Sequence, residues 1–123
     1  MRPLTGEQAG TLLAVARIAM GVGAYLAPGA AARAFGAHAQ RDPAVTFVIR
    51  TFGGRDIVLG VGLAGSQGRE RDRWLVLGAL VDTLDAVAAL WAVRRRQIPW
   101  VNGIGAALTA AGAVAVAARA RRP

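Results

Sequence analysis

Four apolar stretches of about 20 residues each dominate the sequence, and short charged connections separate them. A helix of this length is long enough to cross the hydrocarbon core of a bilayer. Apolar and polar residues do not alternate as they would in a strand, and the many alanines favour helices. The chain is therefore predicted to be all-α, as a four-transmembrane-helix up-down bundle that forms one domain, residues 1–123. The predicted helices cover residues 8–27, 44–65, 74–93 and 100–118.

Residues at the ends of these stretches support the predicted boundaries. Pro28 and Gly29 follow the first stretch, and a proline of this kind is typical just after a helix. Asp42 is a suitable N-cap for the second helix, with Pro43 in its first turn. Pro99 marks the start of the fourth helix in the same way.

The charge pattern of the stretches favours membrane helices over soluble ones. The fourth stretch has no charged residue, whereas a soluble helix carries a charged face opposite its apolar one. Trp74, Trp91 and Trp100 lie close to the ends of stretches, where membrane proteins place aromatic residues at the interface. Because alanine is only weakly hydrophobic, an alanine-rich soluble bundle is the alternative. Arg17 interrupts the first stretch, so a cleaved signal peptide is not expected.

The distribution of basic residues excludes some functions and suggests an orientation. All 15 basic residues are arginines, and they give a net charge of +8. Most of them flank the apolar stretches and do not line one helix face, so we expect no nucleic-acid partner. Seven of them lie on the side of both termini and five on the other. The positive-inside rule then predicts a multi-pass protein of the bacterial cytoplasmic (inner) membrane with both termini in the cytoplasm.

Six ionisable residues interrupt the apolar stretches. Each charge costs about 2.5–3.5 kcal/mol at the centre of a membrane helix, so six unpaired charges would cost on the order of 15–20 kcal/mol. They are therefore expected to face one another, or water, inside the bundle. Five of them fall in one layer near the middle of the membrane, and Arg50 lies closer to the side opposite the termini. The six residues are Arg17, Arg50, Arg55, Asp56, Asp82 and Asp85.

Two readings of this layer stay open, a network of ion pairs that fixes packing and a polar site that binds or protonates a ligand. Ionisable residues inside a membrane are functional by default. In the functional reading Asp82, Asp85 and Asp56 are candidate catalytic acids and bases. Asp82 and Asp85 are three residues apart and share a helix face. The helix over residues 44–65 carries charges on two sides, so it is expected between the first and third helices.

Other polar residues are candidates for binding a ligand. Arg17, Arg50 and Arg55 are expected to hold a polar or anionic group, and Asn102 and Tyr25 to line the site. The chain has no cysteine, which excludes disulfides and a thiol nucleophile. Three aspartates and His38, which lies in a connection, give no metal-ligand spacing. We therefore expect neither a metal nor a cofactor.

The residues above favour a membrane-embedded enzyme or binding protein for a lipophilic small molecule. Isomerisation, cyclisation or hydrolytic epoxide opening would suit such a site, since each needs proton transfer without a cofactor. A subunit of an oligomeric small-molecule or ion transporter is one alternative, since four helices alone barely enclose a pore. A structural or accessory membrane subunit is the other, and whether the chain is an enzyme stays open. A homo-oligomer is compatible with all three.

Two short motifs resemble a known group of proteins. Residues 50–60 read RTFGGRDIVLG, and residues 82–85 read DTLD. They resemble the R-x-x-G-x-R-D-x-x-L-G and D-x-x-D motifs of small bacterial four-helix integral membrane proteins, which are mostly of unknown function. The resemblance covers about residues 12–95 and implies that the charged layer belongs to the pattern of that group. It implies no particular activity.

Overall fold

The computed structural model describes residues 2–34 and 42–121, and within these ranges it contains helices and no strand. This confirms the all-α prediction. Residues 35–41, which include His38, lie outside the described residues. There are five helices in the described ranges: α1 (Gly6–Leu26), α2 (Pro28–Ala34), α3 (Pro43–Ala64), α4 (Gly68–Arg94) and α5 (Trp100–Ala120).

The observed helix ends agree with most of the predicted ones. α1 ends at Leu26, just before Pro28, and the Asp42 carboxylate caps α3 by accepting a hydrogen bond of 3.0 Å from the Ala44 amide. α4 begins at Gly68, ahead of the predicted residue 74. The difference arises because hydropathy marks only the apolar part of a helix. The preceding Arg and Glu residues are good helix formers and extend it into the polar connection.

The four long helices, α1, α3, α4 and α5, form one bundle. α1 packs along α3, and α4 packs along α5. α3 also contacts α4, and α1 contacts α5. α3 therefore lies between α1 and α4, as predicted for the second apolar stretch. α2 is a further short helix that lies against α1 and α3.

Two apolar clusters stabilise opposite ends of the bundle. The first joins the beginnings of α1 and α4 to the ends of α3 and α5, through Leu13, Leu63, Leu75 and Ala117 among others. We call this the terminal end, because α1 begins and α5 ends there. The second cluster joins α1, α2 and α3 at the opposite, distal end. The buried residues of α4 extend from Leu75 only as far as Asp82, close to its middle.

Small residues bring the backbones of α1 and α3 close together. A Cβ atom built on Gly21 would lie 2.6 Å from the carbonyl oxygen of Gly53, and one built on Gly53 would lie 2.6 Å from that of Gly21. A Cβ on Gly60 would lie 2.9 Å from the carbonyl oxygen of Ala14. Such contacts exclude any larger side chain, and close packing of this kind is typical of helix pairs in membranes.

Three helices of the described chain, α1, α4 and α5, are long and apolar enough to cross a membrane. α4 and α5 also expose large apolar side chains along their length, such as Leu80, Leu84 and Leu108. Apolar surface of this extent is unusual in a soluble monomer. The three helices indicate a membrane protein. α3 has a similar length but carries Arg50, Arg55 and Asp56, and it is not among the three.

Candidate functional site

Arg17 joins three helices through ion pairs near their middles. From α1, its Nη1 donates to Asp56 Oδ1 on α3 and to Asp82 Oδ1 on α4, both at 3.2 Å. Its Nη2 donates to Asp82 Oδ2 at 2.5 Å. Arg17, Asp56 and Asp82 are 6%, 4% and 7% exposed, so the protein interior encloses all three.

A glycine on α4 makes room for the Arg17 guanidinium. A Cβ atom built on Gly78 would lie 2.8 Å from Arg17 Nη2. Gly78 precedes Asp82 by one helical turn, so the guanidinium passes over the glycine to reach the carboxylate. A larger residue at position 78 would require the guanidinium to shift.

A second ion pair, between Arg55 and Asp85, joins α3 to α4. Arg55 Nη1 donates to Asp85 Oδ1 at 3.1 Å and Nη2 donates to Oδ2 at 2.7 Å, a bidentate arrangement. Arg55 Nη2 also lies 3.9 Å from Asp56 Oδ1, which links the two ion-pair groups. The side chains of Arg55 and Asp85 are 32% and 33% exposed, in contrast to the enclosed Arg17 group.

The guanidinium of Arg55 rests on an aromatic ring. Its Cζ lies 4.1 Å from the centroid of Phe52, one turn earlier on α3. This distance is suitable for a cation–π interaction. Arg55 Nε is buried and has no hydrogen-bond partner among the described residues. The stacking fixes the plane of the guanidinium and so orients the nitrogens that bind Asp85.

The charges of these groups do not balance. We call Arg17, Arg55, Asp56, Asp82 and Asp85 the charge cluster. It holds three carboxylates and two guanidinium groups, so its formal charge is −1 when all five are ionised. The six sequence candidates together are formally neutral, but the sixth, Arg50, does not join the cluster.

Three of the predicted ligand-binding residues lie toward the distal end, outside the charge cluster. Arg50 Nε donates to the carbonyl oxygen of Tyr25 at 3.1 Å. Asn102 Nδ2 donates to the carbonyl oxygen of Ala34 at 2.8 Å, which ties α5 to α2. The structure thus brings five of the eight predicted site residues together and places Arg50, Asn102 and Tyr25 elsewhere.

Two neighbours of the cluster were not among the predicted site residues. Phe52 is the ring under Arg55, and the spacing of three residues on a helix indicates such a contact. Gly78 lies one turn before Asp82, where a residue without a side chain leaves room for the long side chain of Arg17. Across residues 2–34 and 42–121, no group of three or more His, Cys, Asp or Glu residues is arranged to hold a metal ion.

Comparisons with known proteins found nothing similar to this chain. No family model matches, no curated protein matches, and no solved structure matches.

Proposed function

We propose that the chain is a four-span integral membrane protein whose charge cluster binds a lipophilic small molecule and exchanges a proton with it. α3 is the fourth spanning helix in this proposal. Its 22 residues are enough to cross a bilayer. Asp56 and Arg55 engage partners on α1 and α4 instead of facing lipid, which lowers the cost of placing them in a membrane.

The excess carboxylate is the observation that carries the proposal. A net charge in an apolar environment is costly, so a cluster with one carboxylate too many is stabilised by a proton or by a cationic group. A carboxyl group that holds a proton and can release it is what general acid–base catalysis requires. Isomerisation, cyclisation and epoxide opening all need such a group and no cofactor.

The two halves of the charge cluster have different roles in the proposal. Arg17, Asp56 and Asp82 are enclosed, so they position the three helices. Asp85 is one-third exposed, so it is the carboxyl group of the cluster that a ligand can reach. Arg55 orients Asp85, and its guanidinium lies over the Phe52 ring.

A transporter subunit is the second candidate function. The same excess carboxylate favours it, because proton or cation exchange at one carboxyl group can drive coupled transport. The exposed apolar faces of α4 and α5 are available for a second copy of the chain, which a pore would need. In this case a proton or cation would bind to the charge cluster from one side of the membrane and leave to the other. Proton flux into sealed vesicles would then depend on Asp85.

Native mass spectrometry of protein released from a mild detergent tests the first candidate. We expect the wild type to retain a small lipophilic compound, identified by its mass. Asp85→Asn should lose it, whereas Asp72→Asn, on the same helix but outside the charge cluster, should retain it. Equal retention by both variants would refute the role of Asp85. A ligand-free oligomer with Asp85-dependent proton flux would favour the transporter.

A further inference from the structure

An open cleft lies at the distal end of the bundle, on a face of α3 that does not include Arg55. Its volume is about 460 Å³. Pro43, Thr46, Phe47, Arg50, Thr51 and Gly54 of α3 line it, together with Tyr25 of α1. The α3 residues recur at intervals of three and four, so they form one continuous strip of the helix surface.

Among the described residues, Arg50 is the only charged one that lines this cleft. Its Nε donates to the Tyr25 carbonyl oxygen, which fixes the direction of the side chain. Among the described residues its two terminal nitrogens have no acceptor, and the side chain is exposed. The cleft therefore presents an oriented guanidinium with free donors.

The residues around Arg50 are suited to binding a lipid at the membrane interface. Tyr25 lies next to Leu26, the last residue of α1, which is long and apolar enough to cross a bilayer. Aromatic and arginine side chains are typical of that boundary. Tyr25 and Phe47 are 50% and 72% exposed, so apolar ring surface borders the guanidinium. A ligand that pairs an anion with a hydrocarbon chain fits this combination.

We propose that the Arg50 cleft binds the phosphate group of an anionic membrane phospholipid. The guanidinium fork matches two phosphate oxygens, and the lipid chains extend along Phe47 and the outer surface of α3. A lipid is favoured over a free phosphate ion because the cleft is open and partly apolar. A soluble anion would make no apolar contact with the rings of Tyr25 and Phe47. The site is separate from the charge cluster and does not depend on its function.

Lipid titration followed by native mass spectrometry tests this site. The probe is phosphatidylglycerol, added to delipidated wild type, Arg50→Gln and Arg33→Gln. Arg33 is an exposed arginine of α2, at the same end of the bundle, and it does not line the cleft. We expect Arg50→Gln to weaken binding of the first lipid about tenfold, the effect of losing charge-assisted hydrogen bonds. Arg33→Gln should leave it within about twofold of the wild type.

A second variant and a second probe keep the test decisive. A Cβ on Gly54 meets nothing within 4 Å, so Gly54→Leu should fold and fill part of the cleft, weakening lipid binding without removing the charge. Glycerol phosphate, which has the headgroup and no chains, should not compete. Equal binding by Arg50→Gln and Arg33→Gln, or unchanged binding by Gly54→Leu, would overturn the proposal. Effective competition by glycerol phosphate would show a soluble-anion site and contradict the lipid assignment.

Discussion

Replacing Arg17 should damage the fold far more than replacing either of its carboxylate partners. Arg17→Gln removes three hydrogen bonds and leaves Asp56 and Asp82 enclosed, with Arg55 as the one remaining cation of the charge cluster. Counted with every carboxylate ionised, the formal charge of the cluster changes from −1 to −2. Breaking a buried ion pair from one side costs about 3–5 kcal/mol, so losing the cation shared by two carboxylates should cost on the order of 5 kcal/mol or more. That is comparable to the whole stability of a small domain.

Asp82→Asn perturbs the same contacts with the opposite effect on charge. It weakens two hydrogen bonds to Arg17, a loss of about 2–3 kcal/mol, but it leaves two guanidinium groups facing two carboxylates. The charges of the cluster are then balanced. The charge argument further predicts that Asp82→Asn partly rescues Arg17→Gln, because the double variant returns the cluster from −2 to −1.

Reversible unfolding in mixed detergent micelles measures these differences. We expect the free energy of unfolding to decrease in the order wild type, Asp82→Asn, the double variant and Arg17→Gln. Glu70→Gln, an exposed carboxylate in the first turn of α4, is the control and should unfold with the wild type. If Arg17→Gln were no less stable than Asp82→Asn, or if the double variant were less stable than Arg17→Gln, the charge-balance reasoning would be refuted.

Three further predictions concern single positions. Asp85→Asn should cost less than about 1 kcal/mol because the pair with Arg55 is one-third exposed, and the same unfolding assay measures it against Asp82→Asn. Gly21→Ala should lower the unfolding midpoint by forcing α1 from α3, whereas Gly23→Ala, where a Cβ meets nothing, should leave it unchanged or raise it. Gly78→Ala should lower the midpoint by displacing Arg17 from Asp82, whereas Gly105→Ala should not. If the two alanine variants of a pair had equal effects, the packing seen at Gly21 or at Gly78 would be contradicted.

Much of the fold follows from the sequence because apolar length and helix-capping chemistry are local properties. Asp42 and Pro43 fix the start of α3 through contacts within one turn, and they were predicted on that basis. The predicted start of α4 was wrong because a helix can extend beyond its apolar part. The order of α1, α3 and α4 was predicted because α3 carries charges on two sides, and each needs a neighbour.

The depth of the candidate site residues could be predicted from the sequence, but the ion pairs between them could not. Equal depth in the membrane places Arg17, Asp56 and Asp82 at one level, as the structure has them. Which arginine meets which aspartate depends on helix rotation, which hydropathy does not report. The separation of Arg50 from the cluster depends on a backbone acceptor at Tyr25, and any residue type offers that acceptor. The charge imbalance therefore became visible only from the structure.

Infrared spectroscopy of the ligand-free protein in lipid tests the central claim, that the charge cluster holds one exchangeable proton. The account predicts the carbonyl band of one protonated carboxylic acid at neutral pH, present in the wild type and in Asp72→Asn. The band should vanish in Asp85→Asn and in Asp82→Asn, because either change balances the two guanidinium groups with two carboxylates. A wild type without the band, or a band that persists in both cluster variants, would contradict the account.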